Sequence, residues 1–261
     1  MNMKERELVK MLENMQRQFG VLGVKAEFEA EGTRDIELLR LKDVSAKAGV
    51  ILALKIGGPE DVWGIRQAKQ IGVSEIVAPM VEGPYALVKF LDAFRANISA
   101  DEMEDTVAAV NVETEQSYGN INKIIETGVS SGLHGVTVGR VDLVGSMGLK
   151  RDSIDSPKVF RITKTICEKA KKAGLRTVIG GGIEKGSKDF VGKLVNAGVL
   201  DRFETRKVIF DAKRAIGVYE EAVRNAHLFD KIWLLNKQDH YTAIATEDVH
   251  RFPMLDKRIA G

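Results

Sequence analysis

The sequence predicts a TIM-type (β/α)8 barrel, with an irregular or missing first strand left open, followed by a C-terminal helical extension. Three observations predict it. Short apolar runs recur at intervals of about 30 residues, the size of a strand–helix crossover unit. These runs are continuously hydrophobic rather than alternating, as expected of strands buried on both faces of a parallel sheet. Amphipathic segments lie between them, and seven such units favour a closed barrel over an open doubly wound sheet.

The chain opens on a helical leader, about Lys4 to Gln18. The apolar runs that follow are Val21 to Phe28, Val50 to Ile56, Ile76 to Val81, Val107 to Val112, Gly135 to Val138, Thr177 to Ile179 and Val208 to Phe210, the last preceded by Leu200 to Thr205. The clearest helix starts at Ser156-Pro157, an N-cap followed by proline at the first helical position. It carries Val159, Ile162, Ile166 and Ala170 on one face and ends at Gly174. Leu87, Val88, Leu91 and Phe94 form a similar stripe, as do Phe190, Val191, Leu194 and Val195 before Gly198. Gly49, Gly72 and Gly128 are read as helix ends, where glycine adopts the left-handed closing conformation. An eighth strand is left to an early segment, to the Tyr241 to Thr246 run, or to none. A helical pattern from about Ala215 to Leu235 then runs into a polar tail containing His240, His250, Phe252 and Pro253.

Residues 1–261 are read as a single barrel domain, with a core at about 20–212 and the C-terminal helix and tail at about 213–261 as an oligomer contact, since no linker divides the chain. The apolar content of the last helix exceeds what covering one barrel face needs, which predicts a homo-oligomer. Basic and acidic residues number 39 and 37, with their signs interspersed, so no polybasic surface for nucleic acid or membrane is expected. The expected partner is a small anionic molecule. The single cysteine, Cys167, falls on the core face of a helix, which excludes an internal disulfide. With no signal-peptide core and no run near about 18 apolar residues, the composition is that expected of a soluble cytoplasmic protein.

Candidate chemistry gathers at the predicted strand ends, the active face of such barrels. Glu113, in Val110-Asn111-Val112-Glu113-Thr114, and Asp142, in Gly139-Arg140-Val141-Asp142-Leu143, lie 29 positions apart, and each ends a strand and precedes a helix. Either carboxylate alone would serve as a helix cap. Two hard oxygen ligands at matched strand ends suit Mg²⁺ or Mn²⁺. Lys55 ends the apolar strand Leu52-Ala53-Leu54-Lys55-Ile56, where its charge needs a carboxylate or an anionic substrate beside it. It could stabilise an enolate oxygen, form a Schiff base through a lowered pKa, or pair structurally with Glu27 or Glu29. The same face receives Met80, Arg140, Glu204 and Arg206, together with Gly180-Gly181-Gly182, whose amides could cradle an anion or simply make a tight turn. The four histidines lack zinc-site spacing and are read as surface or tail residues. No nucleophile elbow is present.

These motifs, with Ser146-Met147-Gly148 and Ile76-Val77-Ala78-Pro79-Met80-Val81, resemble the HpcH/HpaI aldolase and citrate lyase β-subunit family of the phosphoenolpyruvate/pyruvate barrel superfamily, over about Val21 to Phe210. The resemblance implies that Glu113 and Asp142 hold a divalent metal that chelates a keto acid, and that the backbone of Gly139, Arg140 and Val141 approaches its carboxylate. It also implies a last helix exchanged between subunits. The chain departs from the family in three places. Lys55 stands where the aldolases carry an arginine, and Arg140 stands where their metal motif has a proline. The stretch Ala26-Glu27-Phe28-Glu29-Ala30-Glu31-Gly32-Thr33 lacks their proton-shuttling histidine, leaving Glu27 or Glu29 as replacement acid or base.

The leading expectation is a divalent-metal-dependent carbon–carbon lyase or aldolase acting on a pyruvate-like 2-oxo acid through a metal-stabilised enolate. Lys55, Glu29 and Glu27 are its catalytic candidates, and Arg140, Gly139, Val141, Met80, Gly181 and Arg206 its substrate-binding candidates. The alternatives are an enzyme of phosphoenolpyruvate or a sugar acid on the same metal site, and a non-catalytic ligand-binding barrel.

Overall fold

A computed structural model describes residues 1–260. Helix α1 (Met3–Phe19) begins on a capping box, in which the Asn2 side chain accepts from Glu5 N while Glu5 reaches back to Asn2 N. It ends at Gly20, which is left-handed at φ 69°. Eight strands then close a barrel in sequence order: β1 (Val21–Glu27), β2 (Ile51–Lys55), β3 (Glu75–Ala78), β4 (Val107–Val112), β5 (Gly135–Gly139), β6 (Arg176–Gly180), β7 (Arg202–Glu204) and β8 (Val208–Asp211). Between β1 and β4 lie α2 (Asp35–Ala48), α3 (Val62–Ile71) and α4 (Pro84–Asn97). The short α5 (Glu115–Gly119) and then α6 (Ile121–Ser130) join β4 to β5. After β5 come α7 (Arg140–Ser146) and α8 (Pro157–Lys172), and α9 (Lys188–Asn196) links β6 to β7. A short α10 (Ala212–Ala215) leads into α11 (Tyr219–Ala260).

Of the two departures left open for the first strand, absence does not occur, since the strand is present and is the longest, whereas irregularity does, as a register shift between Val21 and Gly23 against β8. The eighth strand comes from neither place expected of it. It arises within the Leu200 to Thr205 run as β7, while Tyr241 to Thr246 is helical. The sheet is also not wholly parallel, since β8 runs antiparallel to both β7 and β1. Thr205, Arg206 and Lys207 alone separate β7 from β8. A parallel pair needs a crossover of about a dozen residues, so this connection must be a hairpin. Gly49 and Gly72 close helices in the left-handed conformation, but Gly128 lies inside α6, where a Cβ would stand 2.7 Å from the Leu133 side chain. Cys167 is buried and free.

The predicted polar tail is helical. Along α11, Tyr219, Ala222, Val223, Ala226, Phe229 and Trp233 pack on the barrel, whereas residues 242–260 are exposed throughout. Helix α1 lies against α11, and the Asn2 side chain donates to Asn236 Oδ1 at 2.6 Å. No helix among the described residues is long and apolar enough to cross a membrane.

The barrel interior is polar. Lys25 and Glu27 point inward from β1, Asn111 from β4, Thr137 from β5 and Glu204 from β7, and a void of about 20 Å³ lies among them. At the other end Glu75 pairs with Arg176 at 2.5 Å and with Arg202 at 3.3 Å. Branched apolar layers usually fill such barrels. Here charge fills this one, and it leads toward the strand C-termini.

Candidate active site

The strand C-termini surround a cavity of about 320 Å³. Among the predicted site residues, Glu27, Glu29, Lys55, Glu113, Gly139, Val141, Asp142, Gly181 and Arg206 line it together. Glu113 follows β4 and is buried, receiving hydrogen bonds from Met80 N at 3.0 Å and Asn111 Nδ2 at 2.9 Å. Burial pushes its carboxyl above the usual range despite the nearby Lys55 charge. Asp142 stands in the first turn of α7, on the neighbouring strand's return. It is open to solvent on one side, yet its carboxyl too is pushed up, chiefly by the protein packed around the other side; Lys55 opposes this rise, and Glu29 and Glu27 add to it. Gly139 makes room for this arrangement, because a Cβ there would lie 2.3 Å from Glu113 Oε2.

Lys55 Nζ lies 2.9 Å from Glu29 Oε2 and 3.4 Å from Glu27 Oε2. Burial pulls its pKa down, but Glu27, Glu29 and Glu113 together raise it above the ordinary lysine value. The lowered pKa that a Schiff-base lysine needs is therefore absent, which corrects that alternative. Glu27 also receives Lys25 Nζ at 2.9 Å, and Lys25 in turn reaches Glu204 at 2.6 Å. Burial would raise the Glu27 pKa, but Lys25 and Lys55 hold it down at about 2. An acid or base working near neutrality needs a pKa near neutrality, so Glu27 is an ion-pair hub rather than the proton carrier expected of it. Glu29 stands at the mouth, in contact with Lys55.

Two substrate-binding candidates are corrected. The Arg140 side chain has no exposed surface and turns behind the cavity to Gly180, Gly181 and Asp155, so its guanidinium does not meet a substrate. Met80 is outside the cavity wall and serves through its backbone amide on Glu113. It does so at φ 52°, a left-handed value uncommon for a residue with a side chain. Arg206, at the tip of the β7–β8 hairpin, lies 3.6 Å from Glu27 and 3.9 Å from Glu31.

Sequence reading missed Lys25, Arg151, His227 and Asp230 in the cavity wall. Lys25 had a local signal, since residues two apart on a strand share a face and Glu27 is two positions on. His227 and Asp230 arrive from α11 by tertiary packing, and no spacing announces them; His227 is exposed, as expected of it, and also lines the cavity. A second cavity, of about 250 Å³, lies between α1, α2 and α11, away from the strand ends. Its carboxylates Glu5 and Glu37 are already paired with Arg40 and Lys237. It is an interhelical space.

The cavity wall carries seven carboxylates against four lysines and arginines. An excess of negative charge around the cavity, with two carboxyls held above their ordinary pKa, is an environment that a divalent cation would relieve. Among the described residues no group of three or more His, Cys, Asp or Glu forms a complete cage. Mg²⁺ is commonly held by one or two carboxylates with waters and substrate oxygens completing the shell, so Glu113 and Asp142 fit it or Mn²⁺.

A sequence model of the HpcH/HpaI aldolase/citrate lyase family matches residues 35–181, more than half of the chain. The chain belongs to this family. Comparison with curated proteins gave no match. The fold is similar to an HpcH/HpaI aldolase from Desulfitobacterium hafniense DCB-2, at 14% identity and a TM-score of 0.63 over 78% of this chain and 83% of that one. It is similar to an HpcH/HpaI aldolase/citrate lyase family protein from Burkholderia cenocepacia J2315, at 15% identity and a TM-score of 0.61 over 94% and 90%. Macrophomate synthase matches at 16% identity and a TM-score of 0.56 over 77% and 81%. At these identities the structural likeness speaks for the barrel, while membership of the HpcH/HpaI family rests on the sequence match.

Proposed function

We propose that this HpcH/HpaI family member is a divalent-metal-dependent carbon–carbon lyase of the aldolase type, acting on a pyruvate-like 2-oxo acid through its enolate. The observation that carries the reading is the pair Glu113 and Asp142 at the ends of adjacent strands, facing Lys55 across a cavity rich in negative charge. The family of lyases and aldolases to which the chain belongs supports the reaction class.

When bound, Mg²⁺ or Mn²⁺ would supply Lewis acidity to the carboxylate and carbonyl oxygens of the substrate. The chain's own residues do the rest. Asn111 and the Met80 amide fix the Glu113 carboxylate in one orientation, so little reorganisation is needed to hold a cation. Lys55 presents a full positive charge toward the oxygen on which negative charge develops. Arg206 and Arg151 stand in the wall that an incoming anion meets. Glu29 Oε2, in contact with the Lys55 ammonium, is the atom placed to take or return a proton at the mouth. We also propose that the protein assembles as a homo-oligomer through the exposed half of α11.

The test is exchange of the methyl protons of pyruvate with deuterated water. Exchange is expected with Mg²⁺ or Mn²⁺ present and lost in EDTA. Exchange that survives EDTA, or no exchange with either metal, would overturn the reading.

A further inference from the structure

Arg140 is the largest side chain in the protein with no exposed surface. Its Nε donates to Gly180 O at 3.2 Å and its Nη2 to Gly181 O at 2.9 Å, while Nη1 pairs with Asp155. Phe190 offers its ring face 4.7 Å from the guanidinium carbon. Asp155 is itself held from the other side by Ser187 Oγ at 2.8 Å. Burying a guanidinium costs several kcal/mol unless every donor is well used, and here the fork spans two successive carbonyls of one loop.

The direction of those carbonyls sets the direction of two amides. The described residues hold no cis peptide bond, and in a trans peptide the C=O of one residue and the N–H of the next point to opposite sides. Drawing Gly180 O and Gly181 O toward Arg140 therefore turns the N–H groups of Gly181 and Gly182 away from it. Arg140 lies behind the loop, whereas both glycines line the cavity, so the amides face the cavity. Neither donates to another backbone group among the described residues. Both glycines are left-handed, at φ 75° and 66°, and a Cβ on Gly181 would stand 2.8 Å from Val141 N. Side chains are excluded there, and successive amides make a concavity suited to an oxyanion.

We propose that Arg140 is a positioning residue that fixes the Gly181 and Gly182 amides as the seat for a carboxylate of the substrate. The proposal deepens the reading of the site given above and rests on it for the identity of that carboxylate. Lysine at 140 would keep the charge beside Asp155 but has no planar fork to hold two carbonyls at once.

The experiment follows the Gly181 and Gly182 amide resonances of full-length protein labelled with ¹⁵N-glycine, in Mg²⁺, during titration with oxalate; Mn²⁺ affinity is measured in parallel by calorimetry. In the parent protein both resonances are expected to shift to saturation with oxalate. In Arg140→Lys, oxalate affinity is expected to fall by about tenfold or more and these two shifts to disappear. Its Mn²⁺ affinity is expected to stay within about twofold, because Glu113 and Asp142 are untouched. Oxalate binding to the parent protein without movement of either resonance overturns the proposal, even if Arg140→Lys fails to fold. So does a folded Arg140→Lys that binds oxalate as the parent does. Failure of Mn²⁺ to bind the parent protein would instead sink the metal reading, while the amide response to oxalate would still decide the role of Arg140.

Discussion

The Lys55 ammonium and the Glu29 carboxylate are in direct contact, 2.9 Å apart, at the mouth of the cavity. A lysine held this way stays protonated at neutral pH, because its neighbouring carboxylates more than offset burial. Borohydride reduction in the presence of pyruvate should therefore leave the protein mass unchanged. An adduct mapped to Lys55 would reverse the assignment and make the enzyme an imine-forming aldolase.

Replacing Lys55 by alanine should lower turnover by orders of magnitude with little change in metal affinity, since preorganised charge of this kind is worth about 2.7–4 kcal/mol. Lys55→Arg is the informative comparison. A pocket that accepts the wider fork should keep pyruvate exchange, whereas one fitted to a lysine between Glu27 and Glu29 should lose it. If Lys55→Ala keeps full activity and loses only thermal stability, Lys55 is an ion-pair partner and nothing more.

Glu113→Gln and Asp142→Asn should each weaken Mg²⁺ or Mn²⁺ binding severely while leaving the far-ultraviolet circular dichroism unchanged. Ligation needs the ionised carboxylate, so with a raised Glu113 pKa the metal should begin to leave above the pH range ordinary for carboxylates. Linkage gives the sign for the metal-free protein. A carboxyl raised in the folded state adds stability below its unfolded value near 4.5, and that stability is lost as pH rises through the folded value. Metal-free protein should therefore weaken with rising pH in that window, and Glu113→Gln should flatten the dependence. Calorimetric metal titrations and melting curves across pH check both statements.

Glu27 has the opposite sign. Its pKa falls from 4.5 unfolded to about 2 folded, so its contribution is present above 4.5 and disappears as pH drops toward 2. The shift corresponds to stability on the order of 3 kcal/mol. Glu27→Gln should be less stable than the parent by about that amount at neutral pH, with the two denaturation midpoints converging in acid. Equal stability at neutral pH would show that Lys25 and Lys55 do not depend on this carboxylate.

Helix α11 leaves Ile244, Val249, Phe252, Met254, Leu255 and Ile259 exposed beyond the barrel. Truncation after Thr242 keeps the buried half of the helix and the Tyr241 hydroxyl bond to Glu37 at 2.6 Å, so the barrel should stay folded while the proposed oligomer dissociates. Light scattering on both chains decides this. A full-length protein that is monomeric at micromolar concentration would remove the case for an interface there.

Strand positions were legible because a strand buried on both faces is mostly apolar, and Val107 to Val112, interrupted only by Asn111, or Thr177 to Ile179 carry that mark wherever they pair. Strand direction carries no such mark. Val208 to Phe210 reads alike in either sense, and its antiparallel course follows from the three residues before it rather than from its own composition. At the site, Glu113 and Asp142 could be found because each sits just past a strand, where position alone decides which way a group faces. Arg140 occupies such a position too, but its long side chain folds back behind the glycine loop, a choice made by Asp155 and Phe190 from later in the chain. His227 and Asp230 depend on how α11 docks, and docking is a property of the finished surface.

The packing of α1 against α11 sets the order in which this protein can be finished as it is made. Helix α1 packs on β1 and α2 but gains its contact with α11 only when that helix arrives, and β1 gains its second neighbour only with β8. At roughly 5–20 residues per second, a ribosome needs about 10–40 s to pass from the end of α1 to the start of α11. Throughout that interval α1 lacks part of its final cover. Cellular yield should therefore respond to translation speed and to holding chaperones more strongly than the stability of the completed barrel would suggest.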